Sequence, residues 1–180
     1  TLAGIPSIVY GLFGYVFFNI ACGWSFSLLA GAMTLAMMIL PLILRTTEEA
    51  LRSVPDSFRE GSFGLGAGRL RTVVCVILPP AMPGILAGVV LSVGRIVGES
   101  AALIFTAGSG TANLAFGKTG VFWKDLFART LSVHMYNLMT EGLYVNQARA
   151  TAVVLLGLVI GINGLSALVA KRLTRGKEGT

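Results

Sequence analysis

The sequence predicts an all-α, polytopic bundle of transmembrane helices. Three observations predict it. Of the 180 residues, 54% are hydrophobic and only 12% charged, and the mean hydropathy is +0.80, far from the roughly 25% charged residues of soluble domains. Residues 1–44 contain no Asp, Glu, Lys or Arg. A single long polar interval, 45–79, separates segments apolar enough to cross a bilayer.

Taken in order, 1–44 is long enough for two crossings, since each needs about 20 apolar residues. The break falls at NIACGWS, 19–25, where small and polar residues and the interfacial type Trp24 occur together. The expected helices are 7–20, opened by Pro6, and 26–44, kinked near its end by Pro41. A third apolar segment runs over 81–107 behind Pro79, Pro80 and Pro83, and a fourth over 150–170. Lys171, Arg172, Arg175 and Lys177 follow at once and mark the inner side. Gly84 with Gly88, Gly94 with Gly98, and Gly157 with Gly161 have the four-residue spacing that lets helices approach closely.

Four crossings place 45–79 and the tail on one side. The stretch carries five basic residues and the tail four, against four in the loop 108–149, so the stretch is expected in the cytoplasm and that loop outside. This accounts for the net charge of +6 without nucleic acid, because the basic residues are not interleaved with aromatics on one face. Cys22 and Cys75 then lie near opposite faces, too far apart for a disulfide. The chain begins at Thr1 inside an apolar run with no signal-peptide pattern, and an N-terminal part is expected to be missing.

Within 45–79, Thr46 and Glu49 have capping-box spacing and predict a short helix after the membrane exit. Pro55 ends it or opens the next, 56–63 is helical, and Gly64, Gly66 and Gly68 provide a turn. Apolar residues at helical spacing amid the charge suggest a docking surface.

The arrangement Glu60, Gly61, Ser62, then Gly66, then Val76, Leu78 and Pro79 resembles the EAA loop of ATP-binding-cassette (ABC) importer permeases, with Gly61 and Ser62 in place of the two alanines. The segments GIPSIVYGLFG (4–14), GRIVGESAALIFTAG (94–108) and TLSVHMYNLMTEG (130–142) extend the likeness over nearly the whole chain. Together they resemble the A-type permeases of bacterial phosphate-specific transport, PstA. The resemblance implies a MetI-like, type I importer fold in the bacterial inner membrane, with four of an expected six helices present. It implies a coupling helix carrying Arg59, Glu60, Gly61, Ser62 and Gly66, closed by Leu78 and Pro79, that docks on a cytoplasmic ATPase. The implied partners are a PstC-like second permease, a PstB-like ATPase dimer, a PstS-like phosphate-binding protein outside, and membrane lipid. ATP is then bound by the ATPase, and no cofactor is expected in this chain.

Arg95 and Glu99 fall near the middle of the third apolar segment, where each costs on the order of 2.5 to 3.5 kcal/mol. Their spacing of four allows a structural ion pair on one helix face. Alternatively, Arg95 lines a water-filled path and offers its guanidinium fork to phosphate, with Glu99 as counter-ion when the path is empty. The resemblance favours the second reading.

The segment ANLAFGKT, 112–119, is a relaxed phosphate-loop pattern without the strand and helix such a loop needs. His134, the only histidine, has no neighbour at ligand spacing, so no metal site is expected, and a short helix over 130–141 carries it. No nucleophile and base suggest catalysis. The alternatives to a phosphate permease are a permease for sulfate or molybdate and a membrane scaffold or sensor whose loop recruits a regulator.

Overall fold

Pro6, with its ring-fixed φ of −58°, opens the first helix of the computed structural model, which describes residues 5–110, 129–142 and 144–175, with side chains as far as residue 170. Among these residues the chain is helical and no strand occurs. Helix α1, Ser7–Gly14, passes into a π-wound segment, Tyr15–Ala21. Helix α2 is Leu28–Arg52, α3 is Asp56–Gly64, and α4 is Arg69–Gly98. Short α5, Ala101–Thr106, is followed by α6, Leu131–Glu141, and α7, Val145–Arg175. Three of these helices, α2, α4 and α7, are long and apolar enough to cross a membrane, while Ser7–Ala21 is apolar but shorter. The segment 112–119 lies outside the described residues.

Three expectations are corrected. No new helix starts from a cap at Thr46: α2 continues past Pro41 to Arg52. The Thr46 hydroxyl donates to the Leu42 and Ile43 carbonyls at 3.0 and 3.1 Å, so it satisfies itself within the helix instead of capping a new one. Glu49 pairs back to Arg45 at 2.9 Å. The prolines at 79, 80 and 83 do not start a helix either, because α4 begins at Arg69 and runs through them. The turn before them, Val73–Ile77, is π-wound. Pro79 and Pro80 leave the Cys75 and Val76 carbonyls without their usual partners, and a wider turn relieves the clash of the rings with those carbonyls. Finally, the third apolar segment is not one helix. It breaks at Glu99 and Ser100, between α4 and α5.

The chain divides into two units, residues 1–41 with 94–161 and residues 42–93 with 162–180. In the first, Leu103 of α5, Ala107 just beyond its end and Val133 of α6 form a buried core with Leu35 and Ile104 against it. The Thr106 carbonyl collects two donors, the Asn19 amide at 3.2 Å and the Ser27 backbone N–H at 3.2 Å, which ties the π-wound segment and the start of α2 to α5. Trp24 stacks on Phe18 with ring centroids 5.2 Å apart at the break predicted from NIACGWS.

In the second unit, Ala50, Val54, Ile77 and Ala81 form the core. Here the expected close approach at Gly84 and Gly88 is present. A Cβ added at Gly88 would lie 2.3 Å from Thr46 Oγ1, and one at Gly84 would lie 2.8 Å from the Ala50 Cβ, so α2 and α4 cross where only small residues fit. Gly98, Gly157 and Gly161 have open space instead.

Candidate functional site: a docking loop and a broken membrane helix

The loop between α2 and α4 is built by short-range hydrogen bonds. Pro55 sits at the N-terminal boundary of α3 with φ −56° and ψ 141°. Arg59 reaches back from α3 to donate to the Leu51 carbonyl at 3.0 Å and also pairs with Asp56, so it fastens the helix to the end of α2. The far end closes through Leu65 N–H to Gly61 O at 3.1 Å, Gly66 N–H to Phe63 O at 2.9 Å and Ala67 N–H to Ser62 O at 3.1 Å. Gly66 takes φ +78° there, a conformation that Cβ-bearing residues adopt at a cost.

Ser62 is buried, and its hydroxyl meets that of Thr72 on α4 at 2.9 Å. Thr72 in turn donates to the Gly68 carbonyl at 3.2 Å. The sequence marks Ser62 as a small residue in the place of an alanine; its bond to Thr72 has no local signature because the two are joined across the Gly turn. Leu78 and Pro79, the end of the motif, lie half-buried within α4.

What the loop leaves outward is apolar. Phe58 and Phe63 are half exposed, Leu65 is 91% exposed and Leu70 82%, with exposed Glu60, Arg69 and Arg71 around them. Glu60 belongs to no ion pair among the described residues, where the pairs are Arg45–Glu49, Arg52–Glu48 and Arg59–Asp56. Gly61 faces open space.

The second candidate site is the break after α4. Arg95 lies exposed in the last turn of that helix, and Glu99 lies just beyond its end, 9% exposed. They form no ion pair. The four-residue spacing brings two side chains together only while the helix continues, and α4 stops at Gly98. Glu99 is held by other contacts: its Oε1 accepts from the Ala102 N–H at 3.3 Å and its backbone carbonyl accepts from the Ser132 hydroxyl at 2.8 Å. Ser132 thus belongs to this site, which its position in an outer-face helix did not reveal. Among the described residues no cluster of ligating side chains fits a metal ion. His134, on α6 as predicted, meets Arg129 Nη1 at 3.1 Å through Nδ1, while Arg129 Nε donates to the Ser109 carbonyl at 2.8 Å.

Residues 1–175 match the model of the family described as binding-protein-dependent transport system inner membrane component. The chain belongs to that family. This permease component is 42% identical over 148 residues to the Bacillus subtilis protein named "Probable ABC transporter permease protein YqgI", covering 79% of this chain and 50% of that one. It is 35% identical over 167 residues to the phosphate transport system permease protein PstA of Mycobacterium leprae, covering 90% of this chain and 52% of the relative. With PstA of Xylella fastidiosa it shares 42% over 106 residues, 59% of this chain and 37% of the relative. The chain therefore spans about half the length, or less, of these relatives. Among solved structures, a chain of the MetNI methionine ABC transporter in inward facing conformations superposes with a TM-score of 0.73 at 23% identity, covering 97% of this permease and 70% of that chain. The expected MetI-like fold and multi-pass inner-membrane nature hold.

Proposed function

We propose that this permease is a membrane subunit of an ATP-driven importer of inorganic phosphate. The observation that carries the reading is the 35% identity to a phosphate transport system permease, PstA, over 90% of the chain. The subunit forms half of the translocation path and pairs with a second, PstC-like permease. A PstS-like binding protein delivers phosphate from outside, and a PstB-like ATPase dimer binds and hydrolyses the nucleotide, so this chain carries no cofactor and no catalysis of its own.

The geometry supports a division of labour. The exposed apolar face of α3 and its turn, Phe58, Phe63 and Leu65, is the surface offered to the cytoplasmic ATPase, with Glu60, in no ion pair among the described residues, as its charge. Leu78 and Pro79 lie on α4, the element that leads from the loop to Arg95. Closure of the ATPase dimer moves the loop, and the membrane helices alternate between two accessible states. Arg95, exposed at the end of α4 and in no ion pair among the described residues, presents a planar fork that donates two parallel hydrogen bonds to one oxyanion. Binding there is weak enough to release the ion.

The test is phosphate uptake into vesicles containing the full reconstituted complex. Wild type accumulates phosphate on ATP addition. R95Q and R95K abolish uptake while the complex still assembles, Lys failing because a point charge does not reproduce the fork. Sulfate or molybdate flux in place of phosphate overturns the substrate, absence of any ATP-dependent flux overturns the transport reading in favour of a scaffold, and unaltered uptake in the variants overturns the role of Arg95.

A further inference from the structure

The helix break leaves Glu99 in an unusual position for a membrane carboxylate. It is 9% exposed and no described cation pairs with it. One carboxylate oxygen is occupied by the Ala102 N–H. The other has no donor among the described residues. A desolvated carboxylate is costly unless something donates to it. Four residues before it in the sequence stands Arg95, exposed and without an ion partner among the described residues. The break thus offers a donor fork and an acceptor within five residues, and the two do not satisfy each other.

We propose that Glu99 determines specificity by accepting a hydrogen bond from a proton carried by the transported anion. This rests on the phosphate reading above. Near neutral pH inorganic phosphate retains at least one proton, so it supplies oxyanion oxygens to Arg95 and an O–H to Glu99. Sulfate and molybdate retain none. Against them the carboxylate meets only negative oxygen, which is both repulsive and unsatisfied, and a site built around a ligand O–H rejects analogues that lack it far more strongly than shape alone allows. The Ser132 hydroxyl, by fixing the Glu99 backbone carbonyl, positions the carboxylate.

The test is competition for radiolabelled phosphate on the purified permease–ATPase complex, with the soluble binding protein omitted so that its own selectivity does not enter. Sulfate competes at least about tenfold more weakly than unlabelled phosphate in wild type, as expected when one buried acceptor is left unpaired. E99Q, whose amide also donates, brings the two anions within about threefold of each other, and E99D, which keeps the acceptor, retains the gap. A wild type that does not discriminate, an E99Q variant with the wild-type ratio, or an E99D variant without the gap overturns the proposal. Should E99Q not assemble, fluorophosphate decides on wild type: it has the shape of phosphate but no proton near neutral pH, so it competes as weakly as sulfate, and competition as strong as phosphate overturns the role of Glu99. Failure of these arms with intact phosphate uptake in vesicles removes Glu99 alone, whereas absent uptake removes the phosphate reading itself.

Discussion

At the scale of single residues, the Ser62–Thr72 hydroxyl pair is the contact that most sharply defines the docking loop. Both side chains are buried, and Thr72 already donates to the Gly68 carbonyl, so its remaining capacity is as acceptor and Ser62 is the donor. S62A removes the donor and leaves a lone pair unmatched; T72V removes both of the hydroxyl's bonds, while the Gly68 carbonyl keeps the Thr72 backbone N–H at 3.0 Å. A neutral intramolecular hydrogen bond contributes about 0.5 to 1.5 kcal/mol. S62A is therefore expected to destabilise by about 1 kcal/mol and T72V by somewhat more, with the double variant less destabilised than the sum because the shared bond is lost once. Unfolding midpoints of the purified complex measure this, and strict additivity contradicts the pairing. The same scale shows why parts of the site were hidden in the sequence. The α3 boundary at Pro55 and the turn at Gly66 are legible because residue type is a local signal. The Ser62–Thr72 and Ser132–Glu99 contacts join residues 10 and 33 apart, and hydroxyls at such separations have no pattern to read.

At the scale of elements, α3 is a helix whose apolar side has no cover within the described chain. Its length is fixed by Pro55 before it and by the turn at Gly66 after it, both readable from residue type. Its exposed face is not a consequence of propensity: Phe58, Phe63 and Leu65 remain outward because Ser62 and Val54 take the buried positions. A large apolar side chain left in water forgoes on the order of 1.5 to 3 kcal/mol of burial, so a cluster of them marks a surface awaiting a partner. The double variant F63D/L65D is expected to lose ATPase co-purification by at least about tenfold, since two anchor side chains exceed the 1.4 kcal/mol of one decade, while the permease itself still inserts. Retained co-purification places the ATPase contact elsewhere. Elements also explain the misread boundaries. A capping box at Thr46 is a true signal only at a helix start, and inside α2 the same hydroxyl serves the carbonyls behind it. Hydropathy ran through 81–107 without pause because the break at Glu99 and Ser100 follows a single Gly98, and glycine within a membrane segment is as often a packing residue as an ending.

For the molecule as a whole, hydropathy made the membrane spans legible and the basic residues made the sidedness of the chain a definite prediction. The five basic residues of 45–79 and the four of the tail are expected on the cytoplasmic face, which places the turn after the first helix, with Cys22, outside. Both cysteines are free and exposed, so the chain carries its own reporter. In a C75S background, a membrane-impermeant maleimide is expected to label Cys22 in intact cells. In C22S/C75S, a cysteine introduced by S57C on exposed α3 is expected to react only in inverted vesicles or after permeabilisation. The arrangement has a strict consequence for function: an ATPase can dock on α3 only if S57C faces the nucleotide-containing side, and a binding protein can deliver only to the opposite one. Labelling of S57C in intact cells would therefore overturn the topology and the docking role together, whereas labelling of Cys22 outside and S57C inside leaves Arg95 and Glu99 to be tested as the site through which the anion passes.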